Sequence, residues 1–90
     1  MAYEIVLAPE AVEDFERLSA RWRGSVHDAL EKHLRHHSAK ERKSRIKRLR
    51  GKRRPQFRLR VDEIRVFYDI RGQTVEALAI VPKSEAALWL

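Results

Sequence analysis

Ninety residues suffice for one hydrophobic core and are too few for two, because short chains bury a smaller share of their surface, so residues 1–90 are expected to form a single domain. Hydrophobic residues make up 43% of the chain and recur periodically, which excludes a disordered polymer despite 37% charged side chains, and the lack of cysteine excludes disulfide and thiolate chemistry. No run approaches the roughly 18 apolar residues of a membrane span and no basic-then-apolar leader opens the chain, so a soluble, cytoplasmic protein is expected.

The formal net charge is +7 and it is unevenly spread. From Lys40 to Arg60 stand twelve Lys or Arg against one carboxylate, Glu41, which gives +11, while the remaining residues hold eight basic and twelve acidic side chains, or −4. Like charges at this density repel unless a partner compensates them, so a localised polyanion-binding face is a better account than a solvated charge run. With Ile46 and Leu49 as its main apolar residues, the stretch from Ser38 to Arg54 cannot form a face that inserts into lipid.

In chain order, Tyr3 to Leu7 is rich in β-branched and aromatic residues and ends at Ala8-Pro9, which predicts a first strand. Pro9 opens a helix: Glu10, Glu13 and Asp14 suit its positive end, and Ala11, Phe15 and Leu18 share a stripe. Trp22, Val26, Leu30 and Leu34 continue at four-residue spacing and predict a second helix fading near His37-Ser38. Ile46 and Leu49, three apart, predict one short helical turn. Gln56 to Val61 alternates, with Phe57, Leu59 and Val61 on one side and Arg58 and Arg60 on the other. Asp62-Glu63 turns into Ile64 to Ile70, where Ile64, Val66, Tyr68 and Ile70 oppose Arg65, Phe67 and Asp69. Arg71-Gly72-Gln73 turns again into a strand from Thr74 to Val81, Pro82 stops it, and Ser84 is positioned to cap a short helix from Glu85 to Leu90.

The expected fold is therefore α+β, in the order β-α-α-β-β-β-α, with a helical hairpin packed on one face of a small, mainly antiparallel twisted sheet. The other face is expected to be open and polar. Pairing across the Asp62-Glu63 turn brings Arg58, Arg60 and Arg65 together on it, with Phe67 on the same face by parity. Guanidinium groups match phosphate oxygens and stay charged at any working pH, and an aromatic ring can stack an unpaired base, so the face is suited to RNA. The alternative for the arginines is solvent-exposed decoration, and for Phe67 ordinary packing under the last helix. His33 and His37 stand four apart, but with no cysteine and with helix-borne histidines beside Lys and Arg more often decorating a surface, this spacing does not predict a metal site.

Lys47-Arg48-Leu49-Arg50-Gly51, Phe57-Arg58-Leu59-Arg60, Ile64-Arg65-Val66-Phe67-Tyr68 and Ala79-Ile80-Val81-Pro82-Lys83 occur in this order after Tyr3-Glu4-Ile5-Val6-Leu7 and Pro9-Glu10-Ala11. Together they resemble the RelE/ParE toxin superfamily, its RelE branch most closely, over essentially the whole chain. The resemblance implies a RelE-like fold and the toxin of a type II toxin-antitoxin system, a metal-independent and cofactor-free endoribonuclease that cleaves mRNA in the ribosomal A site. By motif matching it puts catalysis on Arg58, Arg60 and Arg65, with Lys83 standing where an arginine is usual. Contacts to mRNA and rRNA are expected from Arg45, Lys47, Arg48, Arg50, Lys52, Arg53, Arg54, Phe67 and Trp89. Trp89 lies where such toxins carry a tyrosine and lacks its hydroxyl. The implied partners are the ribosome with its mRNA and a cognate antitoxin with an acidic toxin-binding segment, through which alone DNA would be met, and no membrane. Two alternatives share the fold: a ParE-like inhibitor of DNA gyrase, and a nucleic-acid-binding module without catalysis.

Overall fold

The computed structural model describes residues 2–37, 45–49 and 54–89. Strand β1 (Glu4–Leu7) is followed by helices α1 (Pro9–Arg17) and α2 (Ala20–Ala29), and α2 runs on through a π-helical stretch, Leu30–Leu34, into α3 (Arg35–His37). Strands β2 (Ile46–Arg48), β3 (Phe57–Val61), β4 (Ile64–Arg71) and β5 (Thr74–Pro82) follow, and a 3₁₀ helix, Lys83–Trp89, ends the described chain. The sheet order is β1-β5-β4-β3-β2, with β1 parallel to β5 and the other neighbours antiparallel. The helical hairpin on one face of a mainly antiparallel sheet is the α+β arrangement expected from the sequence.

The hairpin forms where the sequence supplies its ends. Pro9 occupies the first turn of α1, and the Ser19 hydroxyl accepts the Trp22 N–H at 3.3 Å to start α2. Ala11, Val26 and Leu34 from the helices meet Leu59, Val66 and Val75 from the sheet in the main core. Arg35 fastens the far end of the hairpin to β1: Tyr3 N–H donates to the Arg35 carbonyl at 2.6 Å, and Arg35 Nη1 donates to the Tyr3 carbonyl at 3.0 Å. Glu31 orients that guanidinium through two hydrogen bonds, which hold its own carboxyl below the usual carboxylate range. Where β1 ends, α1 protects the edge of β5, since Asp14 Oδ2 accepts the Ile80 N–H at 3.0 Å.

Two local expectations are corrected, and β5 carries an irregularity between them. Ile46 and Leu49 do not share a helical turn: residues around them pair with β3, Arg60 N–H donating to the Arg45 carbonyl and Leu49 N–H to that of Gln56, each at 2.8 Å. Extended backbone lets the two side chains serve different faces, Ile46 the main core and Leu49 a smaller apolar cluster on the far side. Alternation in β5 breaks at Leu78, because Phe67 pairs with Ala79 while Tyr68 pairs with Ala77. This bulge flips parity, so Val75 and Ala77 face the main core and so does Ile80, while Ala79 and Val81 face away. Finally, the terminal helix begins at Lys83 with Ser84 inside it, and the far face of the sheet is not left open. Ala86 and Trp89 pack there over Phe67, Ala79 and Val81.

Candidate functional site

On that far face, directly opposed residues form two rows across the strands. Lys47 lies opposite Arg58, which lies opposite Phe67 and then Ala79; Arg60 lies opposite Arg65 and then Val81. Opposed residues share a face, so Lys47, Arg58, Arg60 and Arg65 converge beside the terminal helix. The strands can present them because Leu59 and Val61, alternating with the arginines, are buried on the helix side.

Each cation meets a different environment. Arg65 is only 8% exposed, and its Nη1 donates to the Asp62 carbonyl at 2.7 Å and the Ile64 carbonyl at 3.1 Å. Its charge is thus solvated by backbone dipoles rather than by a carboxylate. Arg58 has a buried Nε with no acceptor among the described residues. Burial, then Arg65, then Arg60 push the Arg58 guanidinium below its ordinary range, although it stays protonated at neutral pH. Lys83 is exposed, and its backbone N–H donates to the Glu63 carbonyl at 2.7 Å, which sets the head of the terminal helix against the turn that holds Arg65. Chemically, the arrangement is a concentrated positive field with vacant donor capacity at Arg58. Around Arg58 and Arg65 the described residues place other arginines and backbone carbonyls rather than an imidazole or carboxylate, so charge stabilisation exceeds proton transfer in what these two groups can offer.

Other residues expected at the site lie elsewhere or are already engaged. Arg48 pairs opposite Phe57 on the helix side, with its guanidinium 5.3 Å from that ring centroid, so it faces away from Arg58. Arg54 is held by Asp69 at 2.7 Å and Glu76 at 3.2 Å, and the hydrogen bond to Asp69 raises its pKa, so its charge is matched within the protein. Phe67 is fully buried and stacks on Trp89 with ring centroids 5.9 Å apart and planes 16° apart. The expectation of an uncovered ring ready for an unpaired base is therefore corrected, because the terminal helix lies across it. Trp89 is half-buried by the same contact. Arg45 is half-buried and contributes its carbonyl to β3. Arg50, Lys52 and Arg53 lie outside the described residues, as does the His37 side chain. Replacing Trp89 with alanine is expected to uncover Phe67 and cost about 2 kcal/mol in stability. A urea midpoint identical to that of the parent would show that the stack contributes nothing.

Sequence reasoning missed the residues that support the face. Asp69, 5% exposed, accepts the Gln56 N–H and Arg54 Nε, each at 2.7 Å, while Gln56 Oε1 accepts the Ile70 N–H at 2.9 Å. These bonds clamp the approach to β3 onto β4. A lone carboxylate in an otherwise apolar and basic central strand was the available signal, since a charge there requires partners.

A family model described as the ParE toxin of the type II toxin-antitoxin system, parDE, matches residues 5–87. The chain therefore belongs to this toxin family, within the RelE/ParE superfamily whose pattern its sequence resembles. Among solved structures it is similar to the toxin-antitoxin complex RelBE2 from Mycobacterium tuberculosis, with a TM-score of 0.78, 21% identity, and coverage of 91% of this chain and 99% of that one. The archaeal RelE-RelB complex from Pyrococcus horikoshii OT3 matches with a TM-score of 0.67 and 20% identity over 96% of this chain and 100% of that one. The RelB-RelE complex from Methanococcus jannaschii follows at 0.63 and 15% over 94% and 98%. At these identities the likeness is one of fold. No curated protein matches the sequence.

Proposed function

We propose that residues 1–90 act as one toxin domain that binds mRNA on the ribosome through the arginine face and cuts it there, and that an antitoxin with an acidic segment masks the same face. The observation that carries this reading is the buried Nε of Arg58, without an acceptor among the described residues and beside the paired Arg60 and Arg65. A cation in that position meets no anion among the described residues, and a phosphodiester supplies both the charge and the acceptor. Cleavage by attack of a ribose 2′-hydroxyl on the adjacent phosphate develops negative charge that these guanidiniums would stabilise, with the ribosome ordering the mRNA. Lys83 adds an exposed cation at the margin, and Lys47, opposite Arg58, extends the face onto β2.

The test is to map mRNA ends in a translating extract, with free RNA and a DNA gyrase supercoiling assay in parallel. Cuts that require ribosomes and vanish in Arg65→Ala support the proposal. Inhibition of gyrase without new RNA ends would overturn it in favour of a protein-binding toxin, and binding of RNA without either effect would reduce it to a nucleic-acid-binding module.

A further inference from the structure

The hairpin turn between β3 and β4 has both of its carbonyls committed to the cationic face. Val61 pairs with Ile64, leaving Asp62 and Glu63 as the turn residues. The Asp62 carbonyl receives Arg65 Nη1 at 2.7 Å, and the Glu63 carbonyl receives the Lys83 N–H at 2.7 Å. Both side chains of the turn are exposed, so their contribution here comes through the backbone. Asp62 adopts a left-handed conformation, with φ of 53°, which asparagine, aspartate and glycine tolerate and β-branched residues resist.

We propose that Asp62 is a positioning residue for the arginine face: its left-handed backbone aims a carbonyl at Arg65 and, through Glu63, aligns the head of the terminal helix that bears Lys83. Arg65 sits close enough to Arg58 to disfavour that residue's charge, and its own recorded acceptors are carbonyls, not carboxylates. Without a fixed dipole, two like-charged guanidiniums on neighbouring strands would drift apart toward solvent. A carboxylate in the same place would neutralise the field that a phosphate is meant to meet, whereas a carbonyl holds the guanidinium and leaves its full charge on display. The turn therefore solves a conflict between ordering a cation and keeping it unneutralised. This inference rests on the reading of the face as a phosphate site.

The experiment compares Asp62→Gly, Asp62→Asn, Asp62→Val and Arg65→Ala in binding a short single-stranded oligoribonucleotide across a range of salt. Glycine and asparagine are expected to match the parent. Valine is expected to weaken binding and to flatten the dependence of log K on log salt by about 0.7, as the loss of one phosphate contact does, and the Asp62→Val/Arg65→Ala double variant is expected to bind no worse than Arg65→Ala. The Arg65 guanidinium proton resonances should exchange slowly in the parent and rapidly in Asp62→Val, a readout that needs no RNA. Slow exchange retained in Asp62→Val, or additive losses in the double variant, would overturn the positioning role. If valine prevents folding, Asp62→Ala carries the same comparison with a smaller conformational penalty. RNA affinity unchanged in Arg65→Ala would sink the phosphate reading itself, and the exchange measurement would still report separately on the turn.

Discussion

Replacing Arg58 with methionine is expected to make the free protein more stable and, at the same time, to abolish the RNA cleavage proposed for it. Arg58 has a buried nitrogen without an acceptor and is pressed by two other arginines, a combination that costs free energy as long as no anion is bound. Methionine keeps an unbranched stem over the same sheet surface and removes the cation. Relief of the unsatisfied donor is worth about 1 kcal/mol, which corresponds to a rise of roughly 4–8 °C in melting temperature for a domain of this size. Loss of a preorganised donor to a charged transition state is expected to lower cleavage by at least about 100-fold. Thermal unfolding and mapped mRNA ends, measured on the same preparation, check both halves. A variant that melts lower than the parent and still cuts would refute the assignment of Arg58 as an unsatisfied functional cation.

The opposite result is expected at Asp69. Asp69→Ala removes the acceptor for the Gln56 N–H and for Arg54 Nε in a nearly dry position between β3 and β4. Leaving the Gln56 N–H unpaired, while exposed Arg54 keeps Glu76, is expected to cost about 2 kcal/mol, a large part of the margin by which a small domain is stable. Asp69→Asn retains one carbonyl oxygen for the Gln56 N–H and should lose roughly half as much. Urea unfolding gives the two values, and hydrogen exchange at the Ile70 amide, held by Gln56 Oε1, should accelerate in both variants. Equal stability of parent and alanine variant would mean that the clamp is replaced by solvent at no cost.

Much of this architecture was legible in the residues because burial on one face imposes a period. Alternation in β3 and β4 located Arg58, Arg60 and Arg65 on a common surface, and their registers pair them as parity requires. Helical spacing from Ala11 through Leu34 likewise located the hairpin, whose Ala11, Val26, Leu30 and Leu34 are buried. What escaped was whatever depended on distant partners. Ile46 and Leu49 carry too few apolar neighbours for their spacing to distinguish a turn of helix from a short strand, and only β3, ten residues further on, decides the matter. The Leu78 bulge inverts which β5 residues face inward without any glycine or proline to announce it. Phe67 was ambiguous because an aromatic ring on an arginine-bearing face fits either a base or a covering helix. Trp89, 22 positions along, resolves it by stacking there.

The parallel pairing of β1 with β5 joins Glu4 to Thr74 and Leu7 to Ala77, so the first strand and its neighbour lie at opposite ends of the chain. During synthesis, β1 emerges without a partner and must wait until Thr74 to Ala77 have been made, and closing so long a loop is slow. The apolar side chains of Ile5 and Leu7 meanwhile lack the core they pack against, and the helical hairpin has no completed sheet on which to settle. Assembly of the sheet is thus deferred until β5 has been made.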